Sequence, residues 1–166
     1  MNFREIFTYD RVTGQLFWVS RPKRFYKRSL VAGCVNSLGY VQISYKGKQY
    51  LAHRIIWEIE FGGPPEGWID HIDGNRSNNK LENLRLASPK ENTWNRRGNK
   101  NTTSRYKGVY YYKNYGKWHA RFSSTHIGYF KSEEEAAKAY DNFVANFQGH
   151  FARPNFQREN LTNDTP

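Results

Sequence analysis

Arg97 to Ser104 reads RGNKNTTS, a stretch with no apolar side chain and with glycine and asparagine steps. Such a segment has nothing to bury, so folding has to happen on either side of it. A chain of 166 residues divided there builds two small cores rather than one large one. The boundaries that follow are a first module over residues 1–97, a linker over 98–105, a second module over 106–150 and a tail over 151–166. The residue pattern differs on the two sides of the linker, and no longer-period repeat relates them.

In the first module, residues 14–20 and 39–51 read as short strands. Val41, Ile43 and Tyr45 alternate with Gln42 and Ser44, and Lys46-Gly47-Lys48 turns the chain. Ala52 to Phe61 predicts a helix with Ala52, Ile55, Ile56 and Ile59 on one face, stopped by Gly62-Gly63-Pro64-Pro65. Trp68 to Ile72 reads as a strand entering a tight turn at Asp73-Gly74-Asn75. Ser88-Pro89-Lys90-Glu91 then places serine at N-cap, proline at N1 and glutamate at N3, the start of a helix carrying Asn92, Asn95 and Arg96.

In the second module, Tyr106–Tyr112, Lys117–Ser123 and His126–Phe130 read as three strands. Trp118, Ala120 and Phe122 fall on one side of the middle strand, His119 and Arg121 on the other. Ser132 caps a closing helix with Glu135 at N3 and Ala136, Ala139, Tyr140, Phe143 and Phe147 as its buried stripe. Trp118, Phe122 and Phe130 join Tyr140 in the core.

The formal charge of +11 points to an anionic partner, nucleic acid first. It is unevenly spread: no acidic residue lies between Asp10 and Glu58, and from Lys90 to Lys131 Glu91 alone faces ten Lys or Arg. Two basic surfaces thus flank an acidic, polar centre around Asp70, Asp73 and Glu82. The lone Cys34 offers neither a disulfide framework nor a CxxC zinc pattern and fits a reducing, cytosolic setting. MNFREIFTYD lacks the basic and apolar regions of a signal peptide, and no run of apolar residues is long enough for a membrane span.

The polar centre, WIDHIDGNRSNNKLENLRLASPKEN from Trp68 to Asn92, carries the chemistry. Hydrolysing a phosphodiester requires an activated water, stabilisation of the charged phosphorane and relief of the leaving oxygen. Asp70 and Asn92 offer the carboxylate and amide oxygens that a hard cation such as Mg²⁺ or Mn²⁺ prefers. Strand alternation turns the His71 ring away from Asp70, where it can take a proton from water near neutral pH. The Asn83 side-chain oxygen is the acceptor expected to fix its other ring nitrogen. Arg76, Arg96 and Arg97 are placed to anchor flanking phosphates. His53, on the first helix, reads as a packing or phosphate-contacting residue. His119, His126 and His150 have no carboxylate or cysteine at metal-ligand spacing, which argues against a structural zinc. Asp73, Gly74 and Asn75 are turn chemistry.

Across residues 50 to 97 this segment resembles the His-Asn-His (HNH) endonucleases, with DHIDGNRSNNKLENLR close to the signature of the phage and intron-associated homing type. The resemblance implies a hairpin-and-helix nuclease motif around one metal, His71 as general base oriented by Asn83, and Asp70 and Asn92 as metal ligands. It also implies cleavage of double-stranded DNA to 5′-phosphate and 3′-hydroxyl ends, by a monomer or homodimer in the cytoplasm of a phage-infected or bacterial host. Asparagine stands where the third histidine of the family name would be, which favours a hard cation over zinc. Residues 104 to 149, with YKGVYYY, KWHARF and HIGYFKSEEEAAKAYD, are similar to the plant ethylene-response-factor type of DNA-binding domain, whose three-stranded sheet enters the major groove. Where that family has arginines on its first strand, this chain has mostly tyrosines. Lys107, Tyr110, Tyr112, Lys113, His119 and Arg121 are the contacts the likeness implies.

The fold expected is therefore α+β: a central ββα-metal motif with an N-terminal small-sheet region, followed by a three-stranded antiparallel sheet packed on one helix. The rival reading is a DNA-binding regulator whose nuclease motif is inactive. RNA is the alternative substrate.

Overall fold

Burial of a few aliphatic side chains at the start of one helix organises the first half of the chain. In the computed structural model, which describes residues 1–19, 30–95 and 103–156, the chain divides into two units, Met1–Asn92 and Thr93–Pro166. In the first unit, strands β1 (Phe7–Asp10) and β2 (Gln15–Trp18) form a hairpin. Strands β3 (Cys34–Val35), β4 (Val41–Tyr45) and β5 (Lys48–Leu51) form a three-stranded antiparallel sheet in that order. Helix α1 (Ala52–Phe61) starts directly off β5, at the bounds its apolar spacing predicts. It buries Ala52, Ile55 and Ile56 among Phe3, Phe7, Leu16 and Ile43. Complete burial of Ile55 and Ile56 stabilises the unit by about 2–3 kcal/mol each.

The same core fixes the polar segment. Strands β6 (Trp68–His71) and β7 (Leu84–Ala87) pair antiparallel, His71 opposite Leu84 and Asp70 opposite Arg85, and Ile69 and Leu84 reach into the α1 core. Helix α2 (Pro89–Trp94) follows. Its start is closed reciprocally: the Ser88 hydroxyl accepts from the Glu91 N–H at 3.2 Å, and the Glu91 carboxylate accepts from the Ser88 N–H at 2.7 Å.

In the second unit, β8 (Val109–Tyr112), β9 (Lys117–Phe122) and β10 (Thr125–Phe130) form an antiparallel sheet with β9 central. One face is covered by α3 (Glu133–Gln148), which opens with the Ser132/Glu135 capping box. Ala120, Ala136 and Ala137 are small enough for the helix to lie close against the middle strand, and Val109, Tyr140 and Val144 fill the remaining space. The helix stripe differs from the expected one: Val144 is fully buried, whereas Phe147 is 55% exposed. Phe147 lies at the edge of the stripe, its ring 5.8 Å from that of Trp94 and 5.5 Å from that of Phe122. The first strand begins at Val109 rather than Tyr106, because Gly108 turns the chain with φ +76.

Part of the expected tail belongs to this core. Asp141 accepts from the Asn155 and Phe156 backbone N–H groups at 2.7 and 2.9 Å, and Phe156 packs on the cluster. Among the described residues no helix is long and apolar enough to cross a membrane.

Candidate active site

Strand β6 carries Asp70 and His71 side by side, so pleating sends their side chains to opposite faces. Both are buried, at 5% and 4% exposure. On one face the Asp70 carboxylate meets its cross-strand partner: Arg85 donates Nε–H and Nη2–H to Asp70 Oδ2 at 2.9 and 2.7 Å. On the other, His71 sits beside α1, its ring edge-on to His53 with centroids 5.1 Å apart, and 6.0 Å from the Tyr40 ring.

The residue that fixes the imidazole is Asn79, not the expected Asn83. His71 Nε2 lies 3.0 Å from Asn79 Oδ1, and the tautomer that satisfies both puts hydrogen on Nε2 and the basic lone pair on Nδ1. Asn79 is itself held, because its carbonyl accepts from the Tyr9 hydroxyl, which accepts in turn from the Leu81 N–H. Asn83 is committed elsewhere. Its amide donates to Asp73 Oδ1 and to the Asn78 carbonyl at 3.0 and 2.8 Å, and its Oδ1 accepts from the Asp73 N–H at 3.0 Å. With both amide hydrogens bonded there, Asn83 cross-links the 73–83 loop rather than touching the His71 ring. No local signal separates Asn79 from its neighbours in the run NRSNNK.

Burial pushes the His71 pKa below the usual histidine value, with Asn79, Asp73 and Asp70 pulling back and Arg76 adding to the fall. The ring is therefore neutral, in its base form, at neutral pH. His53 is shifted further, to about 3, by burial first and then by His71 and Arg54. Its Nδ1 is buried with no hydrogen-bond partner among the described residues. The unfolded chain takes up the His53 proton near pH 6.5 and the folded one only near 3. Stability is therefore complete above that window and drains as pH falls through it, by about 1.4 kcal/mol per pH unit. Urea midpoints measured from pH 7 downward should fall, and less steeply for His53→Gln, with His71 supplying the remaining slope. Equal slopes for the two proteins would remove His53 as a source.

The remaining expected site residues are scattered in role. Asn92 is half-buried on α2, in the same unit as Asp70. Arg76 donates to the Leu38 carbonyl at 2.9 Å and lies over the Tyr40 ring, close to His71. Arg96 and Arg97 lie outside the described residues. In the second unit Lys107 does not present its charge: its ammonium donates to the Trp94 carbonyl at 2.6 Å, and burial lowers its pKa to about 8. This bond pins the chain at Trp94. Tyr110, Tyr112 and Lys113 are exposed, and His119 is half-buried on the face away from α3. Arg121 donates Nε–H and Nη2–H to the Ser123 carbonyl of its own turn. Arg85 and Tyr40 carry no signal in the sequence, since only hairpin register and sheet packing bring them in.

Among the described residues no group of three or more His, Cys, Asp or Glu is placed to hold a metal ion. Asp70 carries a carboxylate and Asn92 an amide oxygen, the donor types a hard cation prefers.

Residues 50–93 match the HNH endonuclease family. Protein 3.8 of Escherichia phage T7 is 49% identical over 67 residues, covering 40% of this chain and 55% of that protein. The uncharacterized HNH endonuclease L560 of Acanthamoeba polyphaga mimivirus is 36% identical over 118 residues, 68% of this chain and 61% of that one. The chain thus spans less than two thirds of the length of either relative. A solved structure described as DNA binding and cleavage by the HNH homing endonuclease I-HmuI shares 26% identity over 53% of this chain and 49% of that chain, at a TM-score of 0.38.

Proposed function

We propose that the chain is a metal-dependent endonuclease of the homing type that hydrolyses a phosphodiester in double-stranded DNA. The observation that carries this reading is the buried His71 imidazole, held by Asn79 beside Asp70 on a hairpin of the HNH family. His71 Nδ1 takes a proton from the attacking water, and the ring receives it as imidazolium. The Nε2–H bond to Asn79 keeps the lone pair on the nitrogen that does this work. Arg85 holds the Asp70 carboxylate in one orientation across the hairpin. A divalent cation, Mg²⁺ or Mn²⁺, held by Asp70 and Asn92 would neutralise charge on the phosphorane and on the departing 3′ oxygen. Water adds to phosphorus as the 3′ oxygen leaves and takes a proton from solvent, giving 5′-phosphate and 3′-hydroxyl ends. Basic side chains of both units supply the sequence-independent attraction to duplex, in the cytoplasm of a phage-infected or bacterial cell, and one centre per chain suits nicking by a monomer or a double-strand break by a homodimer.

The Arg85–Asp70 ion pair at 2.7 Å favours one rival, a DNA-binding regulator whose carboxylate is permanently neutralised. Supercoiled plasmid separates the two. With Mg²⁺ the wild-type chain should relax or linearise it, EDTA should stop the reaction, and Asp70→Ala should lower the metal-dependent rate at least a hundredfold, an electrostatic loss of about 3 kcal/mol. Plasmid left intact by the wild-type chain under every divalent metal sides with the regulator. An undiminished Mg²⁺ dependence in Asp70→Ala removes Asp70 from the cation.

A further inference from the structure

On the face of the second unit's sheet opposite α3, five rings form one contiguous cluster. Tyr112 and Tyr115 stack at 5.2 Å and 11°, and Tyr129 lies 6.1 and 6.0 Å from them. His119 and His126 each lie 4.9 Å from Tyr129. The tyrosines are far from buried: Tyr115 is 66% exposed, Tyr129 46% and Tyr112 42%.

Three polar side chains of this face, Arg121, His119 and His126, are spent within the protein. Arg121 gives Nε–H and Nη2–H to the Ser123 carbonyl, and His119 Nε2 and His126 Nδ1 bond each other at 2.8 Å. A sheet that reads a duplex groove does so by aiming donors and acceptors at base edges. This one offers mainly ring area. From Thr103 to Lys131 there is no acidic residue, while Arg105, Lys113, Lys117, Arg121 and Lys131 are cationic. Lys113 sits between Tyr112 and Tyr115, and Lys117 pairs with Tyr112 across the strands. Aromatic faces interleaved with cations suit a strand whose bases are already unstacked.

We infer that this face binds single-stranded DNA by stacking bases on Tyr115, Tyr129 and Tyr112, with Lys113 and Lys117 meeting the phosphates. The inference rests on the reading of the chain as a DNA enzyme for the choice of DNA over RNA, but on no catalytic residue. Its occupant is the strand freed next to a cut.

The test uses the full chain in EDTA and fluorescence anisotropy with a labelled oligothymidylate, a mixed-sequence duplex and an oligouridylate. Wild type should bind oligothymidylate, and 2-aminopurine placed in that strand should change its fluorescence on binding. Tyr115→Ala and Tyr129→Ala should each weaken oligothymidylate binding by about five- to a hundredfold. Both should leave duplex affinity within about twofold, a free-energy change below RT ln 2. Tyr115→Phe and Tyr129→Phe keep the ring and should bind as wild type does. The inference falls if the alanine variants, shown folded by circular dichroism, bind oligothymidylate normally. It falls too if the phenylalanine variants lose duplex binding, which would mean that hydroxyls read base edges. Tighter binding of oligouridylate overturns the assignment to DNA. Duplex binding without any oligothymidylate binding sinks this inference alone, whereas failure to bind either DNA sinks the proposed function with it.

Discussion

His71→Ala should lower plasmid cleavage at neutral pH by roughly two to four orders of magnitude while leaving duplex affinity in EDTA unchanged. The loss is expected to be that large because nothing nearby can replace the ring. His53 is the neighbouring imidazole, but burial lowers its pKa to about 3 and makes it a weak base. Asn79 can accept or donate a hydrogen bond but does not take up a proton in this range. The folded state should survive the change, because Ile69 and Leu84 still tie the hairpin to the α1 core when the His71 ring is gone. Cleavage within tenfold of wild type would mean that water is activated without this imidazole. Unchanged cleavage together with weakened duplex binding would reassign His71 to substrate grip.

Gly108→Ala should unfold the second unit or bring it close to unfolding, a loss of about 2–5 kcal/mol. Two penalties add. Gly108 has φ +76, a left-handed conformation that costs a non-glycine residue about 1–2 kcal/mol. A methyl group there would sit 2.1 Å from Cε2 and 2.2 Å from Cδ2 of Tyr140, a side chain that is 2% exposed, and 2.8 Å from the Arg121 carbonyl oxygen. Tyr140 has nowhere to go between α3 and the sheet, and overpacking of this kind costs about 1–3 kcal/mol more. Gly116→Ala is the internal comparison: φ is +60, but the nearest atom is the Tyr111 hydroxyl at 4.0 Å, so backbone strain is the main cost. Urea denaturation followed by circular dichroism should give a much lower midpoint for Gly108→Ala than for Gly116→Ala. Equal midpoints would show that the Tyr140 ring yields to the added methyl.

Several elements are legible in the sequence because their causes are local. Helix α1 keeps the bounds set by its apolar spacing and the Gly62 that ends it. Both serine caps work through residues three apart, Ser88 with Glu91 and Ser132 with Glu135. The outward placement of His119 and Arg121 follows from strand alternation alone. The hairpin strand β7 and the shift of the buried stripe from Phe147 to Val144 were not legible. Both depend on which neighbour each side chain meets after packing.

The amino-acid order by itself determined that an aspartate and a histidine would share a strand, that a capped helix bearing Asn92 would follow, and that the chain would be strongly cationic. The tertiary structure alone decided which asparagine serves His71, since Asn75, Asn78, Asn79 and Asn83 have the same chemistry and only the closure of the 73–83 loop sorts them. It alone placed Arg85 on Asp70 and tied Lys107 and Arg121 to backbone carbonyls. The physical reason is that alternation, capping and charge act over a few residues. A hydrogen-bond partner is chosen by whichever atoms the folded backbone brings within 3 Å, and several equivalent side chains compete for that position.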